Sequence, residues 1–262
     1  MNRLSLSMCS ATVIALLACA PLHATAQIHS TPPPLIHNIV LVHGAWADGT
    51  SWSKVVPLLE AEGFHVTAVH LPFTTLAEDA AAVARVLKLQ DGPVLLVGHS
   101  YGGAVITEAG DDPKVTRLVY VDAFAPDLGQ SVSDLVHQDA GPSGGKEIRP
   151  DASGFLTLTA QGVMQDFAQD LTVSEQHLIT ATQGQVSGPD ELGAKLTRVA
   201  WKQKPTFYVV ADDDRMIGPA LENRFATQMH ATQIHIASGH LVMLSHPVQV
   251  AEFIAAAANT AK

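Results

Sequence analysis

Cysteine is nearly missing from this 262-residue chain: its two, Cys9 and Cys19, both lie within the first 26 residues. Beyond them there is no thiol and no disulfide, a composition that suits an oxidising compartment without relying on one. Basic charge is scarce too. Setting aside Arg3 in that first stretch, 14 basic residues stand against 25 acidic ones, a net charge of −11. An acidic surface of this kind argues against nucleic acid and anionic membrane as partners. The apolar run near the start, Ala11 to Ala20, is too short to span a bilayer stably, so no stable membrane insertion is expected. Despite 13 histidines, ligand spacings such as His-Glu-x-x-His do not occur, and neither a metal nor a cofactor is expected. Repeats and low-complexity segments are absent as well. With 47% hydrophobic residues, the chain reads as a packed globule.

What is present begins with a leader. Arg3 gives a basic start, Ala11–Ala20 an apolar run, and Ala24-Thr25-Ala26 a small-x-small cleavage site. Residues 1–26 therefore read as a secretory signal peptide cut after Ala26, and the expected location is periplasmic or secreted. Leu16-Leu17-Ala18-Cys19 loosely matches a lipoprotein box, so anchoring through Cys19 is the alternative. Residues 27–36, with a proline triplet, read as a lead-in, and 37–262 as one domain.

Within that domain, apolar runs alternate with helical patterns. Asn38–His43, Phe64–His70, Pro93–Val97, Arg117–Asp122, Thr206–Ala211 and Gln233–Ala237 read as six strands. The intervening helices are Ser51–Glu62, stopped by Gly63, and Leu76–Gln90, opened by a Thr75/Glu78 capping pair. A third follows Ser100, a fourth runs from Pro219 to Met229, and a last one starts at His246-Pro247. Such alternation predicts an α/β fold, a mostly parallel sheet of about six strands with helices on both faces. Only the stretch of about 126–201 breaks the pattern. It holds glycine-rich turns, weak helical patterning at Gly162–Asp170 and Thr172–Thr182, and no convincing strand. A mainly helical cap over the carboxyl edge of the sheet is expected there.

The chain is organised around Pro93 to Ala104, PVLLVGHSYGGA. A buried strand running straight into a helix forces a tight turn whose apex, Ser100, sits in positive-φ backbone. Gly98 and Gly102 remove the side chains that would collide with strand and helix. Gly-x-Ser-x-Gly occurs by chance in roughly one chain in ten of this length. The flanking strand and helix are what give it weight.

A serine hydroxyl needs a base, and the base needs an acid to orient it. Two later strand ends supply candidates. One is Ala211-Asp212-Asp213-Asp214-Arg215, the other Ser238-Gly239-His240. The chain order Ser, Asp, His is the one expected when the serine sits on such an elbow. At this point any of the three aspartates qualifies. His43 and His99 flank the region and read as loop-fixing hydrogen-bond partners, while Trp46, Phe124 and Met243 are candidate pocket residues.

His43-Gly44-Ala45-Trp46, Gly98-His-Ser-Tyr-Gly-Gly103, Asp212-Asp-Asp-Arg-Met-Ile217 and Gly239-His-Leu-Val-Met-Leu-Ser-His-Pro247 together resemble the α/β-hydrolase superfamily. Within it, the chain looks like the small bacterial esterases related to plant methyl esterases and hydroxynitrile lyases, over about residues 38–256. The resemblance implies Ser100 as nucleophile, His240 as base and Asp214 as acid, with Asp212 and Asp213 as fallbacks. It also implies an oxyanion hole from the backbone amides of Ala45 and Tyr101, and a pocket that includes Trp46 and Phe124. Lyases of this group carry threonine where this chain has Gly44 and lysine where it has Leu241, which counts against cyanide as a leaving group. The implied activity is carboxylesterase action on small to medium hydrophobic esters through an acyl-enzyme. The alternatives are a lyase-like enzyme and a ligand-binding sensor on a hydrolase fold. The partner implied is a small-molecule ester, and the sequence leaves the oligomeric state open.

Overall fold

Continuous apolar runs have no polar face to give to water, so they pair side by side and are covered above and below. The computed structural model describes residues 36–138 and 143–260. The leader, both cysteines and the lead-in up to residue 35 lie outside the described residues. Nine strands occur among those described: β1 (Asn38–Val42), β2 (His65–Val69), β3 (Val94–Ser100), β4 (Val115–Ala123), β5 (Ile148–Pro150), β6 (Phe155–Leu158), β7 (Val186–Ser187), β8 (Thr206–Ala211) and β9 (Thr232–Ile236). Six of them form one sheet in the order β2-β1-β3-β4-β8-β9, every pair parallel. Every residue of β1, β3 and β8 is buried, whereas the edge strands β2 and β9 are partly exposed.

The order decides where a site can form. From β1 the chain moves outward to β2, then returns to the other side of β1 for β3 and continues β4, β8, β9. Beyond the carboxyl ends of strands flanking such a reversal, loops diverge and leave a crevice. The segments after β1, β3, β4, β8 and β9 all open there.

Local physics sets the helices. Thr75 accepts from the amide of Glu78 and opens Leu76–Leu89. The reciprocal half of the capping box is missing, since Glu78 is bound instead by the hydroxyl of Thr74. The single helix expected over Ser51–Glu62 is two pieces, a 3₁₀ turn Gly49–Trp52 and an α-helix Val56–Ala61. Pro57 falls in the first turn of the α-helix, where its missing N–H has no intrahelical partner to lose, whereas inside one continuous helix from Ser51 it would break the ladder. At the far end, the buried Arg117 guanidinium donates to the carbonyls of Ala257 and Ala258, capping the terminal helix Pro247–Asn259.

The cap corrects one expectation. Alongside the helical stretches Ala160–Phe167 and Val173–Thr182 it holds a three-stranded antiparallel sheet, β5-β6-β7. These strands run two to four residues, too short for an alternation of period two to show in sequence.

A buried carboxyl pair ties the cap to the sheet domain. Glu191 of the cap accepts from the amide of Ser187 and hydrogen-bonds Asp79, which also receives the Tyr101 hydroxyl at 2.8 Å and the Phe73 amide at 3.1 Å. Burial, with Asp79 alongside, pushes the Glu191 carboxyl up to about 9. Folded protein thus binds a proton that unfolded protein sheds near pH 4.5, so this pair costs stability progressively as pH rises toward 9. Glu191→Gln keeps the donor to Asp79 and the acceptor for Ser187 without needing that proton. Its melting temperature should match wild type near pH 5 and exceed it by a few degrees at pH 8, where 1 kcal/mol is worth about 2–4 °C. Parallel melting curves for the two proteins from pH 5 to 9 would show that the pair does not hold this proton.

Candidate active site

Ser100 ends β3 at φ 52° and ψ −123°, the left-handed conformation expected of the turn apex. A Cβ on Gly98 would lie 2.6 Å from the carbonyl oxygen of Gly102, and one on Gly102 would lie 2.6 Å from that of His43. The bare backbone at both positions is what lets the helix Tyr101–Ala109 start directly against β1. Tyr101 is the first residue of that helix, so its amide has no partner one turn back. Across from it runs the loop after β1. Gly44 comes so close that an added Cβ would sit 2.6 Å from Ser100 Cβ, which brings the next residue, Ala45, into the same cavity wall as Ser100 and Tyr101.

His240 follows β9, and its Nε2 lies 2.9 Å from Ser100 Oγ. The loop bearing it is held from two sides. Asp170 of the cap accepts from the Gly239 amide and the Ser238 hydroxyl, both at 2.9 Å. His99 Nε2 lies 2.9 Å from the backbone carbonyl of His240, to which it donates. Burial keeps the His99 imidazole neutral, far below its usual range. Phe167 of the cap covers the His240 ring, with centroids 5.2 Å apart.

Of the three consecutive aspartates, Asp214 is the one brought to His240. Its Oδ1 lies 3.2 Å from His240 Nδ1. Asp212 faces the exposed His235 at 2.7 Å, and Asp213 is exposed, its carbonyl taken by Gln169. Burial alone would raise the Asp214 carboxyl; the facing His240 and the amides of Met216 and Ile217 outweigh it and hold the group at about 2. Asp214 is therefore the anion behind the imidazole.

Sequence reasoning left Asp122 as the end of a strand. In the structure its Oδ2 also lies 3.2 Å from His240 Nδ1. The available signal was an acid at the carboxyl end of an apolar strand next to the one that ends in Ser100. His43 does fix a loop as expected: its Nε2 accepts from the Leu71 amide at 3.1 Å, and burial lowers the imidazole to about 4.

An apolar cavity of about 180 Å³ opens over Ser100 and His240. Ala45, Trp46, Tyr101 and Phe124 line it from the sheet side, Ile148 and Leu192 from the cap, and Met216 and Ile217 from the Asp214 loop. Trp46 is pinned to the cap by its indole N–H on the Leu156 carbonyl at 3.0 Å. Met243 is absent from the lining and packs in the core. A second cavity, of about 240 Å³, lies beyond the Trp46–Phe167 ring pair and contacts neither Ser100 nor His240. Two acid clusters near His240, His99/Asp122/His240 and Asp122/Asp214/Glu222, have ligand-type atoms within 4.8 Å of one another. Among the described residues no helix is long and apolar enough to cross a membrane.

The arrangement fits acyl transfer: a hydroxyl on an imidazole, a carboxylate behind it and two amide-bearing segments facing the hydroxyl. A family profile described as alpha/beta hydrolase matches residues 39–253. A probable hydrolase, R7, from a Phoma species is 27% identical over 239 residues, 83% of this chain and 96% of that protein. An alpha-hydroxynitrile lyase from Arabidopsis thaliana is 26% identical over 251 residues, 85% and 97% of the two chains. The solved structure of a pyrethroid hydrolase from Sphingobium faniae superposes with a TM-score of 0.74 at 24% identity, covering 84% of this chain and 96% of that one.

Proposed function

The chain belongs to the alpha/beta hydrolase family, and within it we propose that it is a serine carboxylesterase. The observation that carries this reading is the 2.9 Å contact between Ser100 Oγ and His240 Nε2 at the floor of an apolar cavity. Ser100 attacks the ester carbonyl while His240 takes its proton and Asp214 steadies the imidazolium. The amides of Ala45 and Tyr101 receive the negative charge that develops on the carbonyl oxygen, a contribution of roughly 3 kcal/mol per donor. His240 then protonates the leaving alcohol, and water repeats the cycle on the acyl-enzyme.

Two positions favour ester over nitrile chemistry. Where the lyases' lysine would follow the base, this chain has Leu241, buried and without charge. Where their threonine would stand, Gly44 is pressed against Ser100 so closely that a side chain would clash. The cavity is only a little larger than one that holds a benzene ring, about 150 Å³. Short acyl groups and single rings are therefore the preferred acyl portion, and an octanoyl chain crowds it.

Purified residues 27–262 should hydrolyse p-nitrophenyl acetate and butyrate faster than octanoate, and Ser100→Ala should lose all three activities. Covalent labelling by a fluorophosphonate without turnover would move the reading to a sensor on a hydrolase fold. Export is part of the same proposal. The mature protein isolated from its host should begin at Gln27, and a lipid-modified Cys19 would replace that reading with an anchored one.

A further inference from the structure

His240 Nδ1 carries one N–H, yet two carboxylate oxygens stand 3.2 Å from it, Oδ1 of Asp214 and Oδ2 of Asp122. It is aligned on neither in good hydrogen-bond geometry. The two acids are held very differently. Asp214 accepts from the amides of Met216, Ile217 and Gly218, as a settled anion does. Asp122 is completely buried, and neither of its oxygens has a conventional donor. An acid so placed is costly unless it keeps its proton. Burial, and then the negative charge of Asp214, does keep it protonated, and the neutral carboxyl is hydrogen-bonded to Asp214. Burial also pushes the carboxyl of Glu222, behind it, well above its usual range.

Backbone geometry aims Asp122 at the imidazole. The β3–β4 ladder pairs His99 with Val121 and then Ser100 with Ala123, so Asp122 is the extra residue of a β-bulge. It sits at φ 46°, a conformation that aspartate and asparagine tolerate better than most residues. Bulges of this sort redirect one side chain at the end of a strand. The next residue is clamped on both sides by the Tyr208 hydroxyl, which lies 3.1 Å from the Ala123 amide and 2.5 Å from its carbonyl.

We propose that Asp122 is a second positioning acid for His240, standing in reserve beside Asp214 and taking over the Nδ1 proton when Asp214 is lost. Once position 214 is neutral, the Asp214 charge no longer opposes an Asp122 anion; burial still does, and is offset by pairing of the Asp122 carboxylate with the imidazolium that forms on His240. Its proton leaves to solvent, and the carboxylate already stands at hydrogen-bonding distance from the ring. The inference rests on the esterase reading for its kinetics but not for its geometry.

The test compares Asp214→Asn with Asp214→Asn/Asp122→Asn. Asparagine suits the positive φ at 122, and thermal melts check that both variants fold. Loss of a sole triad acid costs about 10⁴-fold in kcat. With Asp122 in reserve, Asp214→Asn should lose no more than about 10²-fold, and the double variant should fall at least tenfold further. The acid limb of kcat/KM should also move to lower pH in the double variant, because both carboxyls at Nδ1 are then gone while Ser100, His99, Glu222 and the Asp170 that holds the His240 loop are unchanged. A further loss below tenfold, with an unmoved acid limb, overturns the proposal. Proton NMR gives an outcome independent of turnover. The far-downfield Nδ1–H resonance of His240 should survive Asp214→Asn and vanish in the double variant. Its disappearance already in Asp214→Asn overturns the proposal even for a protein that hydrolyses nothing. Wild-type protein without esterase activity would instead count against the proposed function alone.

Discussion

Replacing His240 with alanine is expected to lower kcat on p-nitrophenyl butyrate by about 10⁶-fold, as much as replacing Ser100, with the double variant no slower than either single one. A hydroxyl cannot attack without losing its proton, and the one imidazole nitrogen bonded to Ser100 Oγ is His240 Nε2 at 2.9 Å. Neither neighbouring histidine is hydrogen-bonded to Ser100 Oγ. His99 is neutral, and its Nε2 is committed to the His240 carbonyl. His43 is bound to the Leu71 amide. Serine and histidine therefore act as one unit, and losses within a unit do not add. Steady-state kinetics of the three variants decide it. Additive losses, or a His240→Ala enzyme within about a hundredfold of wild type, would mean that another base serves Ser100.

Gly102→Val is expected to be the most damaging single change to the fold. A Cβ there would lie 2.6 Å from the His43 carbonyl oxygen and 2.7 Å from that of Val42. Both belong to main chain that cannot swing aside, because β1 is paired on both edges, to β2 and to β3. Relief requires the helix Tyr101–Ala109 to lift off the sheet, exposing Val105 and Ile106, which are fully buried. The cost should exceed about 4 kcal/mol, in the range reserved for severe core disruption. For a domain of this size that is a melting temperature lower by about 8–16 °C, or loss of soluble protein. A circular-dichroism melt within about 3 °C of wild type would show that the helix is not seated on β1 as described.

The sheet was legible because its inner strands are buried on both faces and so read as unbroken apolar runs, LVYV in β4 and TFYVVA in β8. The elbow was legible because one strained serine needs glycines on either side. Local sequence carries less where tertiary contacts decide. The helix expected from Ser51 was split by Pro57, a residue visible in sequence whose effect depends on where the preceding turn closes. The cap strands β5, β6 and β7 are too short to alternate, and two cap turns wind as π-helices around Val163–Phe167 and Gly188–Leu192, which no periodicity announces. Asp214 stood out among its neighbours only through family resemblance; what distinguishes it physically is the set of three amides folded around its carboxylate. Asp122 was hidden for a different reason. Its side chain reaches His240 only because a bulge inserts it between paired residues, and a bulge is a property of two strands at once.

The central claim is that Ser100 is a nucleophile primed by His240, and covalent trapping tests it most directly. Residues 27–262 would be incubated with a fluorophosphonate, weighed intact and digested for peptide mapping. The account predicts one adduct per chain, on the peptide that contains Ser100, and none on Ser100→Ala or His240→Ala. An adduct on any other residue, or none on folded wild-type protein, would contradict it.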